Sequence, residues 1–264
     1  MSRGRRKIAA FTAMLLLAVS CQAEAAPETP VLQKTEQEEG ISVDFDVDRF
    51  ALPEGAQVLV VVEGTGGSQC NVYAYEKIDG VWIGKVRTCG YLGRGGMSND
   101  RVEGDKTTPI GLFQMNTPFG QKEAMEGFPA NYLQVNENHV WLASSNQMTE
   151  DKSARGHGEA VGTPAYAGYY DYAIDAGYNK YGIAKKGSAL FLHCIREGRT
   201  DTSGCVAIPT EQMIAIMRLY GAHGDGACYI AQAPQGTFSL IYDSYGANNG
   251  LSPDGEFQTA AKNS

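Results

Sequence analysis

The chain reads as a mostly-β protein, a β-sandwich or partly closed barrel with a few short helices. Short β-branched and aromatic runs recur along it, among them Ala56–Val62, Val72–Glu76, Val81–Val86 and Ser188–Ile195. The 32 glycines punctuate these runs, and only the stretch from Thr210 to Gly221 carries the start and stop signals of a longer helix. Many short strands separated by turn signals predict packed antiparallel sheets rather than alternating βαβ units.

At 264 residues and 43% hydrophobic, the chain is long enough for one sizeable domain and an appendage. Residues 1–20 start with Arg3, Arg5, Arg6 and Lys7 and continue through an apolar run from Ile8 to Val19, the pattern of a secretory signal rather than a membrane span. Two cleavage sites compete. Leu17-Ala18-Val19-Ser20-Cys21 has the form of a lipobox, which would leave lipid on Cys21, while Ala23-Glu24-Ala25 is an ordinary A-x-A site. The lipid-anchored form is preferred because Glu, Ala, Pro, Thr and Gln dominate residues 22–41, a composition suited to a flexible tether over 21–55. The folded domain is then 56–245, with a loose polar tail at 246–264.

Within the domain, Ala56–Val62 is the first strand. Asp79-Gly80 joins Val72–Glu76 to Val81–Val86 as a β-hairpin. Gly, Asn, Asp and Arg make a loop between Tyr91 and Asp105, strand character returns in Thr108–Met115, and residues 144–163 read as a long loop. Strands follow at 168–174 and 188–195. A helix from Glu211 to Tyr220 has Thr210 as its N-cap and Gly221 as its stop, and the runs 228–233 and 237–242 finish the sheet.

Removing the signal takes four of the 22 basic residues and no acidic one, so the formal charge moves from −8 to −12. A chain this acidic repels polyanions, which argues against nucleic acid as a partner. Membrane contact is expected only through the N-terminal lipid.

Six cysteines in an exported chain suggest disulfides, and with Cys21 lipidated the remaining five leave one thiol free. Cys70 and Cys89 flank the hairpin and are expected to pair. Cys194 follows His193 on a strand and so faces the opposite way, which makes Cys228 a better partner for it than Cys205.

Cys205 is then the expected free thiol, the alternative being that it is itself disulfide-bonded and inert. The segment Phe191-Leu192-His193 through Thr202-Ser203-Gly204-Cys205-Val206 places an imidazole at the end of one strand and a thiol after a Ser-Gly turn. A thiol attacks only as thiolate, and a nearby imidazole is a suitable base for it. His193 is therefore the candidate general acid/base and Cys205 the candidate nucleophile. Gly204 lets the backbone approach a substrate, so the N–H groups around Gly204 and Cys205 are candidate oxyanion donors. Ser203 could orient His193, donate to the oxyanion or close the turn. Arg196 and Arg199, between base and nucleophile, could bind a substrate carboxylate. Tyr172, in a cluster with Tyr166, Tyr169 and Tyr170, could line a groove, though strand packing explains such a run equally well. His139, His157 and His223 form no metal-ligand spacing, so no metal or other cofactor is expected.

The His193…Ser203-Gly204-Cys205 segment resembles the signature of the L,D-transpeptidase (YkuD-type) family. Gly104-Asp105-Lys106-Thr107-Thr108-Pro109-Ile110-Gly111-Leu112-Phe113 resembles the family's G-D-x-x-T-P-x-G-x-F element, and Asp175 to Asn179 its I-D-Y-N region; together they cover roughly residues 90 to 221. Many members carry a histidine directly before the Gly-Cys pair, where this chain has Ser203. The resemblance implies an exported enzyme of the cell envelope acting on peptidoglycan stem peptides. Cys205 would attack the carbonyl between an L,D pair, terminal D-alanine would leave with a proton from His193, and the acyl group would pass to an amine of a neighbouring stem. Water in place of the amine makes the alternative, a cysteine peptidase or amidase of the same fold. A catalytically idle wall-binding module is the third reading.

Overall fold

The computed structural model describes Val43 and residues 45–245. The expected signal, Cys21 and the 246–264 tail lie outside the described residues. In chain order the strands are β1 (Val58–Gly66), β2 (Gln69–Ile78), β3 (Val81–Tyr91), β4 (Met97–Ser98), β5 (Thr108–Pro109), β6 (Gly111–Gln114), β7 (Asn116–Gly120) and β8 (Leu133–Gln134). They continue as β9 (His139–Leu142), β10 (Gln147–Glu150), β11 (Gly158–Glu159), β12 (Ala173–Asp175), β13 (Phe191–Cys194), β14 (Val206–Ile208) and β15 (Cys228–Pro234). Among the described residues one α-helix, α1 (Thr210–His223), joins β14 to β15.

Ten strands form one mixed sheet in the order β6-β15-β1-β2-β3-β14-β13-β12-β7-β8, and β10-β9-β11 form a small second sheet. Two halves of the large sheet meet at a single residue pair, Ala207 with Tyr91. β6 and β7 stand in opposite halves of that order although Met115 alone separates them in the chain, so the sheet has to curl. The curl encloses one core, in which Val60, Val72 and Phe113 from one half meet Ile174, Leu192 and Val206 from the other. This is the partly closed mostly-β architecture expected from the sequence.

The hairpin forms as expected: Asp79 and Gly80 both take positive φ, 50° and 82°, the geometry of a type I′ turn. Helix α1 lays Met213, Ile216, Met217 and Tyr220 into the core, a spacing of three and four that buries one stripe. Each such side chain stabilises the fold by roughly 1.5–3 kcal/mol.

Several sequence expectations need correction. Residues 45–55, assigned by composition to the tether, belong to the fold: Phe45 and Phe50 are buried in a second core with Phe238 and Tyr242, at ring separations of 5.0 and 4.9 Å. Two aromatic side chains suffice to hold a segment whose average composition is polar. Residues 237–242 form no strand; Phe238–Leu240 is a short 3-10 turn. Pro209, not Thr210, occupies the N-cap of α1, and the helix runs past Gly221 to end at Gly224, whose φ is 77°. Gly221 is needed for contact instead, since a Cβ there would lie 2.1 Å from the Gly127 carbonyl.

Both expected disulfides are absent, and Cys70, Cys89, Cys194, Cys205 and Cys228 are all free thiols. The hairpin register explains the first. Cys70 stands opposite Gly90 and Cys89 opposite Asn71, so alternation sends the two side chains to opposite faces, one buried and one exposed. Cys194 and Cys228 share the main core, but their thiols turn to different carbonyls, those of Tyr172 and Gly224.

Candidate active site

β13 and β14 run parallel, with Leu192 opposite Val206 and His193 opposite Ala207. Alternation along β13 sends Leu192 and Cys194 into the main core, while Phe191 joins Cys205 in a third cluster with Phe119 and Trp141. Cys205 sits just before β14. It and His193 line one cavity of about 300 Å³, with Tyr166, Tyr169, Tyr170, Glu159 and Arg199 among its walls. The structure thus brings the predicted thiol and imidazole to one cavity from adjacent strands.

Both groups are buried and both are neutral at rest. The Cys205 sulfur accepts from the Phe191 N–H at 3.4 Å and donates to the Ala189 carbonyl at 3.3 Å. Burial, reinforced by the charge of Glu159, pushes its pKa up to about 12. Burial likewise depresses His193 to about 4. Its Nδ1 lies 2.8 Å from the Cys194 carbonyl. A carbonyl can only accept, so Nδ1 carries the proton and Nε2 is left unprotonated, able to accept one. The resting state is thiol plus imidazole, not a thiolate–imidazolium pair.

The turn before the nucleophile is built by Thr202. Its hydroxyl accepts from the Gly204 N–H at 3.0 Å and donates to the Cys205 carbonyl at 2.7 Å. The Gly204 N–H, expected to serve the oxyanion, is therefore engaged, whereas the Cys205 N–H has no partner among the described residues. Ser203 is exposed at the cavity wall. Gly204 has φ 134°, and a Cβ there would meet the Thr107 carbonyl at 2.8 Å, Leu190 Cδ2 at 2.9 Å and Arg101 Nη2 at 3.1 Å. Backbone conformation and crowding both require glycine.

The nearest of these contacts, Thr107, belongs to the Gly104–Phe113 element. Asp105 accepts from the N–H groups of Val102 and Thr107 at 2.8 Å each, and these hydrogen bonds hold its carboxyl below the usual range despite partial burial. Thr108 Oγ1 accepts from the Gly93 N–H at 2.9 Å and reaches the Cys205 carbonyl at 3.5 Å. Arg101, almost fully buried, donates to the carbonyls of Thr107 and Lys186 at 2.9 Å, and its charge favours the Cys205 thiolate. The motif is a buttress for the Cys205 turn.

The opposite wall hangs on two asparagines. Asn146 Oδ1 accepts from Trp141 Nε1 at 2.7 Å and from the Ala189 N–H at 2.9 Å, while its Nδ2 donates to Tyr178 and Asn179 carbonyls. Asn179, in the Asp175–Asn179 region, donates to the carbonyls of Ile183 and Gly187 and accepts from the Ile183 N–H. Ala189, which accepts the Cys205 proton, is held at φ 55°, uncommon for a residue with a Cβ. Arg101, Asn146, Glu159 and Thr202 were missed by sequence reasoning; only Thr202, two residues before Gly204, carried a local turn signal.

Of the other candidates, Arg199 lines the cavity and Arg196 does not. The Arg196 guanidinium lies 5.0 Å from the Tyr169 ring and donates to the Ala165 carbonyl at 3.1 Å, fixing the wall instead. Tyr172 packs in the main core against Phe128, 5.2 Å away, so its proposed groove-lining role is corrected: the neighbouring Tyr166, Tyr169 and Tyr170 hold that position. His223 pairs with Glu76 at 2.8 Å and His139 lies 3.1 Å from Asn136. No metal-binding group of His, Cys, Asp or Glu occurs among the described residues.

Residues 56–222 match the model of the YkuD L,D-transpeptidase catalytic domain. The match covers more than half of the chain, and the chain belongs to this family. A comparison with curated proteins found no match.

Proposed function

We propose that the protein is an exported, lipid-anchored L,D-transpeptidase that cross-links peptidoglycan stem peptides through a Cys205 thioester. The observation that carries this reading is the cavity in which Cys205 and an imidazole with a free Nε2 meet, within a chain of this family. The envelope location rests on the leader sequence and on what such domains act on.

A stem peptide entering the cavity meets a thiol that burial has already desolvated. As the Cys205 sulfur bonds to the carbonyl carbon of the L,D peptide bond, its proton passes to His193 Nε2. Because both partners rest neutral, charge develops only as the bond forms. The oxyanion is met by the Cys205 N–H, with Gly204 serving through its conformation. The departing D-alanine amine takes the proton from His193, and an acceptor amine then attacks the thioester. Arg199 is placed to hold a substrate carboxylate.

The test is intact mass of the mature protein after incubation with a disaccharide-tetrapeptide and, separately, with a carbapenem. A Cys205-dependent adduct with a cross-linked dimer and free D-alanine is expected. D-alanine release without dimer would turn the reading to the hydrolase, and no adduct with Cys205 closed to alkylation would leave a wall-binding module.

A further inference from the structure

Glu159 stands in the same cavity as Cys205 and His193, and the reaction outlined above gives it no task. It lies on β11, the two-residue strand paired through Trp141 to the small sheet, so it reaches the cavity from outside the sheet that carries the nucleophile. The phenol of Tyr170 donates to its Oε2 at 2.6 Å. The Tyr170 ring in turn packs edge-on against His193 at 5.5 Å and flat against Tyr166 at 5.0 Å, which fixes the phenol and with it the carboxylate. Glu159 is close enough that its charge adds to the burial that holds the Cys205 thiol up. Burial also raises the pKa of Glu159 itself, which makes it a better base than an exposed carboxylate.

The cavity therefore has two poles. Arg199 gives a cationic end suited to carboxylates, while Arg94 is ion-paired to the lining Asp201 at 3.1 Å and adds no net charge. Glu159 is the anionic end. A carboxylate beside the nucleophile opposes thiolate formation, so it does not help the first half of the reaction. Resting on the transpeptidase reading, we propose that Glu159 is the acceptor-side base: it binds the ammonium group of the incoming amine and takes its proton during aminolysis of the thioester.

The acceptor ammonium gives one proton to the Glu159 carboxylate, and the freed lone pair forms the C–N bond at the thioester carbon. The C–S bond breaks with its electron pair on the Cys205 sulfur. The second nitrogen proton passes through His193 to that sulfur, restoring the thiol, and Glu159 releases its proton to solvent.

The experiment compares wild type, Glu159→Gln and Tyr170→Phe with the disaccharide-tetrapeptide as donor and a stem-peptide amine as acceptor. It measures acyl-enzyme by intact mass in a single turnover and the ratio of cross-linked to hydrolysed product as the acceptor is raised. Glu159→Gln keeps the shape and removes the base. Acylation is expected to hold or rise while aminolysis falls, with the product ratio dropping about 100-fold, the usual scale of a general base. Tyr170→Phe should move the ratio the same way by a smaller factor, and raising the pH to deprotonate the acceptor should partly rescue Glu159→Gln. An equal fall in acylation and aminolysis, or an unchanged product ratio, overturns this role while leaving the transpeptidase intact. A wild type that acylates but makes no dimer at any acceptor concentration overturns both.

Discussion

Cys194 lies on β13 and Cys205 just before the neighbouring β14, both buried, both with thiols pushed well above the ordinary range, to about 11 and about 12. One faces the main core beside Leu192 and Val206; the other faces a cavity beside His193. Neither burial nor acidity separates them, since burial raises both thiols alike. What separates them is the face of the sheet, set by the two-residue period of a strand, and the open volume on that face. A cysteine becomes a candidate nucleophile here by access and by an imidazole, not by a depressed resting pKa.

The largest expected effect breaks the comparison outright. Cys205→Ala should lower acylation on the order of 10³-fold or more, while Cys194→Ala should leave it nearly unchanged and cost stability of about 1–2 kcal/mol. Intact mass after carbapenem treatment and a thermal melt measure the two; an acylated Cys205→Ala protein would reverse the assignment. Next in size, His193→Gln should slow acylation roughly 10²–10⁴-fold. It should also change the pH dependence of stability. The folded pKa of about 4 lies below the free value of 6.5, so between those pH values the unfolded chain binds the proton more readily. The neutral ring's contribution is full above pH 6.5 and is lost as pH falls toward 4, about 3 kcal/mol in all, and His193→Gln should remove that slope in melts across the interval.

Gly204→Ala sharpens the comparison by disturbing only the turn. A φ of 134° and three contacts at 3.1 Å or less should cost about 2–3 kcal/mol and lower the acylation rate, both readable on purified protein. The smallest effect on acylation is expected at Asp175, whose signature is in stability alone: it is buried, with Oδ1 lacking a partner among the described residues and with its pKa raised by burial to about 7. The folded state holds its proton more tightly than the unfolded chain, so its contribution falls as pH rises from about 4 to 7. Asp175→Asn should gain stability relative to wild type over that interval, opposite in sign to the His193 slope.

Sequence alone determined the mostly-β class, the hairpin at Asp79-Gly80 and the family, and singled out the candidate cysteine and histidine, because each rests on local grammar: alternation, a positive-φ turn pair, a short motif. It also determined that His193 and Cys194 face apart, since that follows from strand geometry without knowing the partners. Only the tertiary structure decided that Cys70 and Cys89 face apart, because the hairpin register, one residue off, was needed to know it. Only it drew Arg101 under Gly204, Asn146 onto Ala189 and Glu159 into the cavity, from segments that read as loops. Those residues act through hydrogen bonds and contacts spanning tens of positions in the chain, and such closures leave no periodic trace in a sequence.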